Sequence, residues 1–344
     1  MAVLKTLVAV TAALIFGGSS AGSVAAEDGA PQGQDWQTLT QGAQCVAKDQ
    51  LTAVDGERSV RKGIHTFDRP APARDLEAFQ PVPAGLRGSI RRVTLPAGRK
   101  LIALTFDLCE QPGEIAGYDG DIVDYLRAQG VKATFFAGGK WMRSHAERAL
   151  QLMADPMFEI GNHSEAHRNL RLLSGPALTD EILGPQRAFE TLRADVASRQ
   201  CRVNDKPVAE TIAPRIGLFR FPYGACNDAA METVNDNGLL AIQWDLSVGD
   251  PSPQQSAKAI ASAMMQAKPG SILIAHANGR GYNTREALPI AIPALRAKGF
   301  EFVTVSELLA AGTPQITTEC YDNRPGDTNR YDHLLAHHKA APQK

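Results

Sequence analysis

From about Lys100 onward, apolar and polar positions alternate between two periods. Short apolar runs, including LIALTF and VKATFFAGG, have the length and the β-branched and aromatic content of buried strands. Between and after them, DIVDYLRAQG, SHAERALQLMAD and TDEILGPQRAFETLRADV space their apolar residues as amphipathic helices do. The repeated order of strand and helix predicts an α/β fold with a parallel sheet.

The segments on either side of this repeat have a different composition. Residues 27–97 are rich in Pro, Gly, Gln and Arg, which predicts an irregular N-terminal extension that wraps the main domain. The repeat itself occupies residues 98–312. Residues 313–344 are predicted to form a polar, mobile C-terminal tail, and a metal site at the tail histidines is the less favoured interpretation.

The first 26 residues resemble a secretory signal peptide. They contain one lysine, a short apolar stretch and small residues that end in Val24-Ala25-Ala26, which predicts cleavage after Ala26. A membrane anchor is the alternative, but the apolar stretch is short for a bilayer span. We therefore expect an exported protein, periplasmic or secreted, with no stable membrane span.

Composition narrows the function classes. The formal net charge is −1, and apolar and charged residues make up 44% and 21% of the chain, as in ordinary globular proteins. No basic stripe indicates a nucleic-acid partner. In an oxidising compartment, five cysteines permit disulfides and leave at least one thiol unpaired or paired between chains.

Candidate functional residues follow the predicted strands. Parallel α/β folds place their active sites at the carboxyl ends of strands, so the polar residues at those ends are the candidates. They are Asp107, His163 with His167, Arg220 with Tyr223, Asp245 with Asp250, and His276.

The stretch HSEAH places His163 and His167 four residues apart. In a helical turn or a tight loop, this spacing lets both imidazoles reach one cation, and the third ligand of such sites is usually a carboxylate. Two solvent-facing histidines are the alternative. The position after the short strand FEIGN favours the metal site.

RFPYG and ILIAH supply two further candidates for chemistry. Arg220 is suited to pair with a carboxylate base, and a backbone N–H near Tyr223 is suited to stabilise an oxyanion. His276 ends a strand, a position suited to a general acid. Taken singly, a strand ending in a proline turn and a core-edge histidine are the structural alternatives.

Taken in order, TFD, HSEAH, RFPYG and ILIAH resemble the motifs of the NodB-homology polysaccharide deacetylases, carbohydrate esterase family 4. The resemblance covers roughly residues 98–312. It implies a distorted (β/α) barrel of the NodB-homology type and metal-dependent removal of acetyl groups from a glycan. The implied substrates are N-acetylglucosamine-containing glycans such as peptidoglycan, a chitin-like oligomer or an exopolysaccharide. An O-acetyl esterase or a hydrolase of non-sugar C–N bonds is the alternative within this fold.

The resemblance also implies residue roles. Asp107 matches the catalytic base, and Arg220 matches the arginine that orients it. Tyr223 matches the residue whose backbone N–H contributes to the oxyanion hole. His276 matches the general acid that protonates the leaving amine.

The implied metal site departs from the family pattern. The two HSEAH histidines match ligands of a divalent cation, for which we expect Zn²⁺. The family's second aspartate, the third ligand, is replaced by Leu108, which cannot bind a cation. We predict that Glu110 fills the gap because it is nearest, with Asp119 and Asp121 as the alternatives.

The fourth motif departs as well. WDLSVGDP places Ser247 and Pro251 where the family has aspartate and tryptophan, but it retains Asp250. Asp250 is therefore included among the predicted catalytic residues, as the group that keeps His276 protonated, with Asp245 as the alternative.

Two hypotheses concern the altered first motif. Cys109 and Cys226 each follow a motif closely, which suggests a disulfide between two active-site loops; a nucleophilic role for Cys109 is less favoured. The loss of a ligand at Leu108 raises the second hypothesis, a glycan-binding pseudoenzyme without metal. The complete set of proton-transfer residues favours an enzyme.

Overall fold

A computed structural model describes residues 52–71, 76–77, 79–203 and 206–332. Its strands are β1 (Arg61–Lys62), β2 (Ser89–Thr94), β3 (Leu101–Leu108), β4 (Glu114–Ile115), β5 (Ala133–Ala137), β6 (Phe158–Asn162), β7 (Arg202–Val203), β8 (Lys206–Pro207), β9 (Leu218–Phe219), β10 (Leu240–Ile242), β11 (Leu246–Ser247), β12 (Ile272–His276), β13 (Glu301–Val303) and β14 (Thr313–Thr317). Its helices are α1 (Gly120–Ala128), α2 (Gly139–Ser144), α3 (Ala146–Ala154), α4 (Gly175–Ser198), α5 (Val208–Thr211), α6 (Asp228–Asp236), α7 (Ala257–Met264), α8 (Thr284–Ala297) and α9 (Val305–Ala310). The predicted α/β alternation is confirmed.

The main sheet follows the order β11-β12-β3-β5-β6-β9-β10-β2-β14, with β13 also paired to β3. All its pairs are parallel except β2 with β14. A single bridge between Arg92 and Ser271 brings β2 to the start of β12 and so joins the two halves of the sheet. This arrangement is a distorted (β/α) barrel, as the resemblance implied.

Side chains of β3 alternate between two cores. Leu101 and Ala103 pack inside the barrel, in an apolar cluster with residues of β2, β5, β10 and β12. Leu104, Phe106 and Leu108 belong to the larger cluster under the helices. Because successive strand residues point to opposite faces, Asp107 lies on the inner face and Leu108 on the outer face.

The described part of the N-terminal extension packs on the loop that follows β3. β1 pairs with β4 in antiparallel fashion, and the Asp68 carboxylate accepts a hydrogen bond from Gly113 N at 2.9 Å. Asp68 also pairs with the buried Lys140. The predicted boundary at 97 differs from the structure, because β2 (Ser89–Thr94) is already a strand of the main sheet.

The C-terminal boundary at 312 also differs from the structure. β14 pairs with β2 along the sheet edge, so the chain after Gly312 continues the domain. Beyond β14, a disulfide joins Cys320 to Cys226, and Arg91 donates hydrogen bonds to the carbonyls of Tyr321 and Asp322 at 2.6 and 2.8 Å. The tail histidines and the predicted signal peptide lie outside the described residues.

Candidate active site

Asp107 and Arg220 form a buried ion pair at the end of β3. Arg220 Nη1 donates to Asp107 Oδ1 at 2.8 Å and to Thr105 Oγ1 at 2.8 Å, and its guanidinium lies 3.9 Å from the ring centroid of Phe136. Burial alone would raise the pKa of Asp107, but His163 and Arg220 outweigh it and hold that pKa below its ordinary value. The carboxylate is thus kept ionised and fixed in direction.

His276 ends β12 beside this pair, in register with Asp107. Its Nδ1 lies 3.0 Å from Asp250 Oδ1, and its backbone N donates to Asp250 Oδ2 at 2.7 Å. Thr284 Oγ1 donates to Asp250 Oδ2 at 2.7 Å. Burial lowers the pKa of His276, but the Asp250 carboxylate more than offsets it, so the pKa lies above its ordinary value.

Asp245, the alternative partner of His276, lies elsewhere. Its carboxylate accepts hydrogen bonds from Ser271 Oγ at 2.8 Å and from Ile272 N at 2.9 Å, at the start of β12. The structure therefore pairs His276 with Asp250, at the opposite end of that strand from Asp245.

The two HSEAH histidines occupy a tight turn after β6. Ser164 and His167 have left-handed backbones, with φ of 63° and 53°. The turn is fixed by Ser164 N donating to Asn162 Oδ1 and by His167 N donating to Ser164 Oγ, at 2.9 and 3.0 Å. Left-handed residues outside glycine are uncommon, and the turn brings the two rings to a centroid distance of 4.9 Å.

One ring nitrogen of each histidine presents a lone pair to the same point, as metal ligands do. These ligand atoms are called the donor set. His163 Nδ1 lies 2.9 Å from the carbonyl oxygen of Arg220, which assigns the proton to that nitrogen and leaves Nε2 as a lone-pair donor. His167 Nδ1 is buried with no hydrogen-bond partner among the described residues, and the buried His163 Nε2 faces Asp107 Oδ2 at 3.2 Å. Burial lowers the pKa of both histidines, which favours the neutral form that binds cations.

Cys109 is the third member of this group. Its Sγ and one ring nitrogen of each of His163 and His167 all lie within 4.8 Å of one another. Asn278 Nδ2 donates to Cys109 Sγ at 3.1 Å and to the Cys109 carbonyl at 2.7 Å. Burial raises the pKa of the free thiol to about 12, which argues against Cys109 as a nucleophile in the absence of a cation.

Glu110 does not join the two histidines. Its Oε2 accepts hydrogen bonds from Ala116 N at 2.9 Å and from Ser144 Oγ at 2.8 Å. Its other oxygen lies 3.8 Å from Lys140 Nζ. The carboxylate therefore braces the loop after β3 against α2, and the structure differs from the predicted third ligand on this point.

The two alternatives to Glu110 also lie away from the donor set. Asp121 pairs with Arg285 at 2.7 Å, and Asp119 precedes α1 and forms a cavity wall with Arg58 and Arg285. Neither carboxylate belongs to the group that contains His163 and His167.

Tyr223 lies at the rim in a left-handed conformation, with φ of 61° and ψ of 6°. Its ring is 4.5 Å from that of His167 and 4.9 Å from that of Tyr331, and its hydroxyl accepts a hydrogen bond from Gln111 Nε2 at 3.2 Å. The C-terminal segment thus supplies one wall of the site.

The disulfide hypothesis for Cys109 and Cys226 is wrong. Cys226 is bonded to Cys320, and Cys109 is a free, buried thiol. The chain after β14 returns to the RFPYG loop, so the bond links that loop to the C-terminal segment. Sequence reasoning could not place Cys320 there because it treated residues 313–344 as a tail.

Sequence reasoning placed Cys109 near the site but not beside the two histidines as a third donor, and it missed Asn278 and Tyr331. The signal for Cys109 was present, because residues two apart on a strand share a face and Cys109 follows Asp107 by two. For Asn278 and Tyr331 no comparable signal exists, since they reach the site through tertiary packing.

Residues 94–242 match the protein family described as Polysaccharide deacetylase. A peptidoglycan-N-acetylglucosamine deacetylase from Bacillus cereus is 31% identical over 219 residues, which cover 62% of this chain and 91% of the relative. The sequence similarity therefore extends over nearly the whole of that relative.

Two solved structures have the same fold. The Bc1960 peptidoglycan N-acetylglucosamine deacetylase superposes with a TM-score of 0.54 at 21% identity, covering 67% of this chain and 96% of that chain. A mutant of BA3943, titled a CE4 family pseudoenzyme with restored enzymatic activity, superposes with a TM-score of 0.51 at 25% identity, covering 65% and 71%. The fold thus occurs in proteins described as enzymes and in one described as a pseudoenzyme.

Proposed function

This chain belongs to the polysaccharide deacetylase family, and from that premise we propose that it is an exported, metal-dependent enzyme that hydrolyses N-acetyl groups of an N-acetylglucosamine-containing glycan. The observation that carries the proposal is the pairing of β3 with β12. It sets the Asp107–Arg220 pair beside the His276–Asp250 pair, next to the histidine donor set. A base and an acid are thus held on one edge of the sheet.

In this proposal Asp107 is the general base. Its Oδ1 is occupied by Arg220, and its Oδ2 lies 3.2 Å from His163 Nε2, on the side of the donor set. The carboxylate takes a proton from the attacking water as the water adds to the acetyl carbonyl. Arg220 acts as a positioning residue that keeps Asp107 ionised.

His276 is the general acid. Asp250 holds Nδ1 and raises the pKa of the ring, so the protonated form persists at higher pH than for a free histidine. The ring then donates a proton to the amine nitrogen as the C–N bond breaks and acetate is released. Tyr223 contributes its backbone N–H to the developing oxyanion, and its left-handed conformation is the strain expected of a fixed site residue.

The donor set fits a divalent cation. A buried histidine nitrogen without a hydrogen-bond partner, such as His167 Nδ1, is costly unless a ligand completes it, and imidazole is a common ligand of Zn²⁺. His163 and His167 would hold the ion, with the Arg220 carbonyl orienting the His163 ring. A bound Zn²⁺ supplies Lewis-acid polarisation of the acetyl carbonyl and lowers the pKa of water.

Export is supported by two features. The first 26 residues have the composition of a signal peptide, and the Cys226–Cys320 disulfide is of the kind found in oxidising compartments. No helix in the described ranges is long and apolar enough to cross a bilayer. A periplasmic or secreted location follows, where peptidoglycan, a chitin-like oligomer or an exopolysaccharide is the substrate.

The test is acetate release by the purified full chain from N-acetylated chitooligosaccharides and from peptidoglycan, after loading with zinc. We expect turnover that is lost in Asp107→Asn and His276→Gln and retained in Asp121→Asn, a matched carboxylate control in the first turn of α1. Turnover of O-acetylated xylan alone would replace the N-deacetylase by an esterase. No turnover of any acetylated glycan, together with glycan binding, would establish the pseudoenzyme alternative.

A further inference from the structure

The donor set contains three atoms. Two are histidine ring nitrogens, and the third is Cys109 Sγ. His167 Nδ1 is buried with no hydrogen-bond partner among the described residues, and His163, 1% exposed, has its Nε2 3.2 Å from Asp107 Oδ2. Cys109 Sγ lies within 4.8 Å of a ring nitrogen of each histidine. A tetrahedral Zn²⁺ site with an open position needs three protein ligands, and thiolate and imidazole are its usual donors.

The direction of the chain explains why the third donor is Cys109. Leu108 is fully buried in the apolar cluster under the helices, so no side chain at that position can face the histidines. Asp107 faces the barrel interior, and Cys109, two residues on, returns to that side. The side chain that faces the histidines is thus one residue further along the chain than the family's ligand position.

Sγ has a hydrogen-bond donor and a positive charge nearby, but burial keeps the thiol protonated until a cation replaces its proton. Asn278 is fully buried and donates a hydrogen bond to Sγ at 3.1 Å. Burial disfavours the charged form, and the guanidinium of Arg280 acts in the opposite direction. Arg280 is itself held by the Glu114 carboxylate at 2.8 Å. A donor group and a fixed positive charge of this kind are what orients and tunes a metal ligand.

We propose that Cys109 is the third protein ligand of the metal site, binding as a thiolate beside His163 and His167. The inference rests on the proposed function only in that it concerns the same site. Binding releases the thiol proton to solvent and forms a metal–sulfur bond, with no oxidation or reduction. The thiolate carries one negative charge, as a carboxylate ligand would, but it is a softer donor and selects Zn²⁺ or Co²⁺ over Mg²⁺ and Ca²⁺.

Co²⁺ is the probe that tests this directly. The metal-free full chain is titrated with Co²⁺, and absorption is recorded in the near-ultraviolet, where a thiolate-to-cobalt charge-transfer band appears. We expect one equivalent to bind with the band in the parent. Cys109→Ser should lose the band, with a fall in affinity larger than the roughly 10- to 100-fold typical of losing an outer-shell contact. Cys109→Asp should bind Co²⁺ without the band.

The matched control removes the other two described cysteines near the site. In the double variant Cys226→Ser, Cys320→Ser, the charge-transfer band should remain, since neither sulfur belongs to the donor set. Asn278→Asp replaces the N–H donor by an acceptor and should weaken Co²⁺ binding by about 10- to 100-fold while keeping the band.

A second measurement needs no variant. X-ray absorption of the zinc-loaded parent should show one sulfur at about 2.3 Å together with nitrogen or oxygen neighbours at about 2.0–2.2 Å. A shell of nitrogen and oxygen alone, a band that persists in Cys109→Ser, or no bound metal would each overturn the proposal. A sulfur shell in a protein without deacetylase turnover would uphold the ligand and reject the proposed function, so the two failures are distinguishable.

Discussion

The site has two edges, the end of β12 and the end of β3. Both depart from the family pattern in sequence, and the structure compensates the two departures in different ways. At the end of β12, Asp250 reaches His276 from the loop after β11, and both carboxylate oxygens are hydrogen-bonded. At the end of β3, no other carboxylate takes the place of the one missing at Leu108, and His167 Nδ1 remains without a hydrogen-bond partner among the described residues. At the first edge the carboxylate partner is present, whereas at the second we propose that a cation completes the site.

The two edges differ because Asp250 lies in a loop, whereas Leu108 lies in a strand. A loop can turn a displaced side chain back to the same point, and that is how Asp250 reaches His276. A strand cannot, because each residue alternates between faces and a shift of one position reverses the direction of the side chain. The next side chain on the same side as Asp107 is therefore that of Cys109, two residues further along the chain.

The largest loss of activity is expected for a substitution at Asp107, which pairs with Arg220 and lies in register with His276. Asp107→Asn removes the proton acceptor, and kcat should fall by about 10²- to 10⁴-fold. The substitution also leaves the buried Arg220 without its counter-charge, which should cost about 3 kcal/mol of unfolding free energy. Acetate release and urea unfolding measure the two effects. A variant with kcat within tenfold of the parent would place the base elsewhere.

Leu108→Asp tests whether the β3 edge can be returned to the family pattern. We expect it cannot, because residue 108 is fully buried among apolar side chains on the outer face. Loss of leucine packing and burial of an unpaired carboxylate should destabilise the protein by about 4 kcal/mol or more. Urea unfolding measures this. A stable variant that binds metal more tightly than the parent would contradict the assigned direction of residue 108.

The C-terminal wall of the site depends on the disulfide. In the double variant Cys226→Ser, Cys320→Ser, the unfolding free energy should fall by about 2–4 kcal/mol, since the bond closes a sequence separation of 94 residues. Thermal unfolding of the variant and the parent, with and without reductant, checks this. An unchanged midpoint would mean that the segment after β14 is held by its hydrogen bonds alone.

The smallest effect is expected at the β12 edge. Asp250→Asn removes the negative charge that raises the pKa of His276, so the alkaline limb of the kcat profile should move to lower pH. The fall in kcat at the optimum should be smaller than the roughly 10²- to 10⁴-fold expected for loss of the acid itself. An unshifted limb would exclude Asp250 as the group that holds the proton on His276.

The same pair has a consequence for stability. The pKa of His276 is higher in the folded protein than the value near 6.5 of an unfolded histidine. Its contribution to stability is therefore full below about pH 6.5 and is lost as pH rises through the raised pKa. The deficit of Asp250→Asn relative to the parent should be larger at about pH 6 than at about pH 9, as measured by thermal unfolding.

Much of this architecture could be predicted from sequence because strand and helix periods are local properties. The α/β alternation followed from them, and the ends of β3, β6 and β12 identified Asp107, His163 and His276. The path of Glu110 could not be predicted, because its partners Ala116 and Ser144 are set by how the loop packs on α2. Composition alone did not assign β2 and β14 to the main sheet, since both lie in segments rich in polar residues, proline and glycine.

The pairing of these two strands also bears on how the chain is made. Gln315 donates to Thr94 across a sequence separation of 221 residues, so β2 emerges early and its partner β14 late. Until β14 has been synthesised, that side of β2 carries unpaired backbone groups, which invite pairing with other chains. Contacts of such long sequence separation also slow folding. The interval between the two strands is therefore the period in which a newly made chain most needs protection from aggregation.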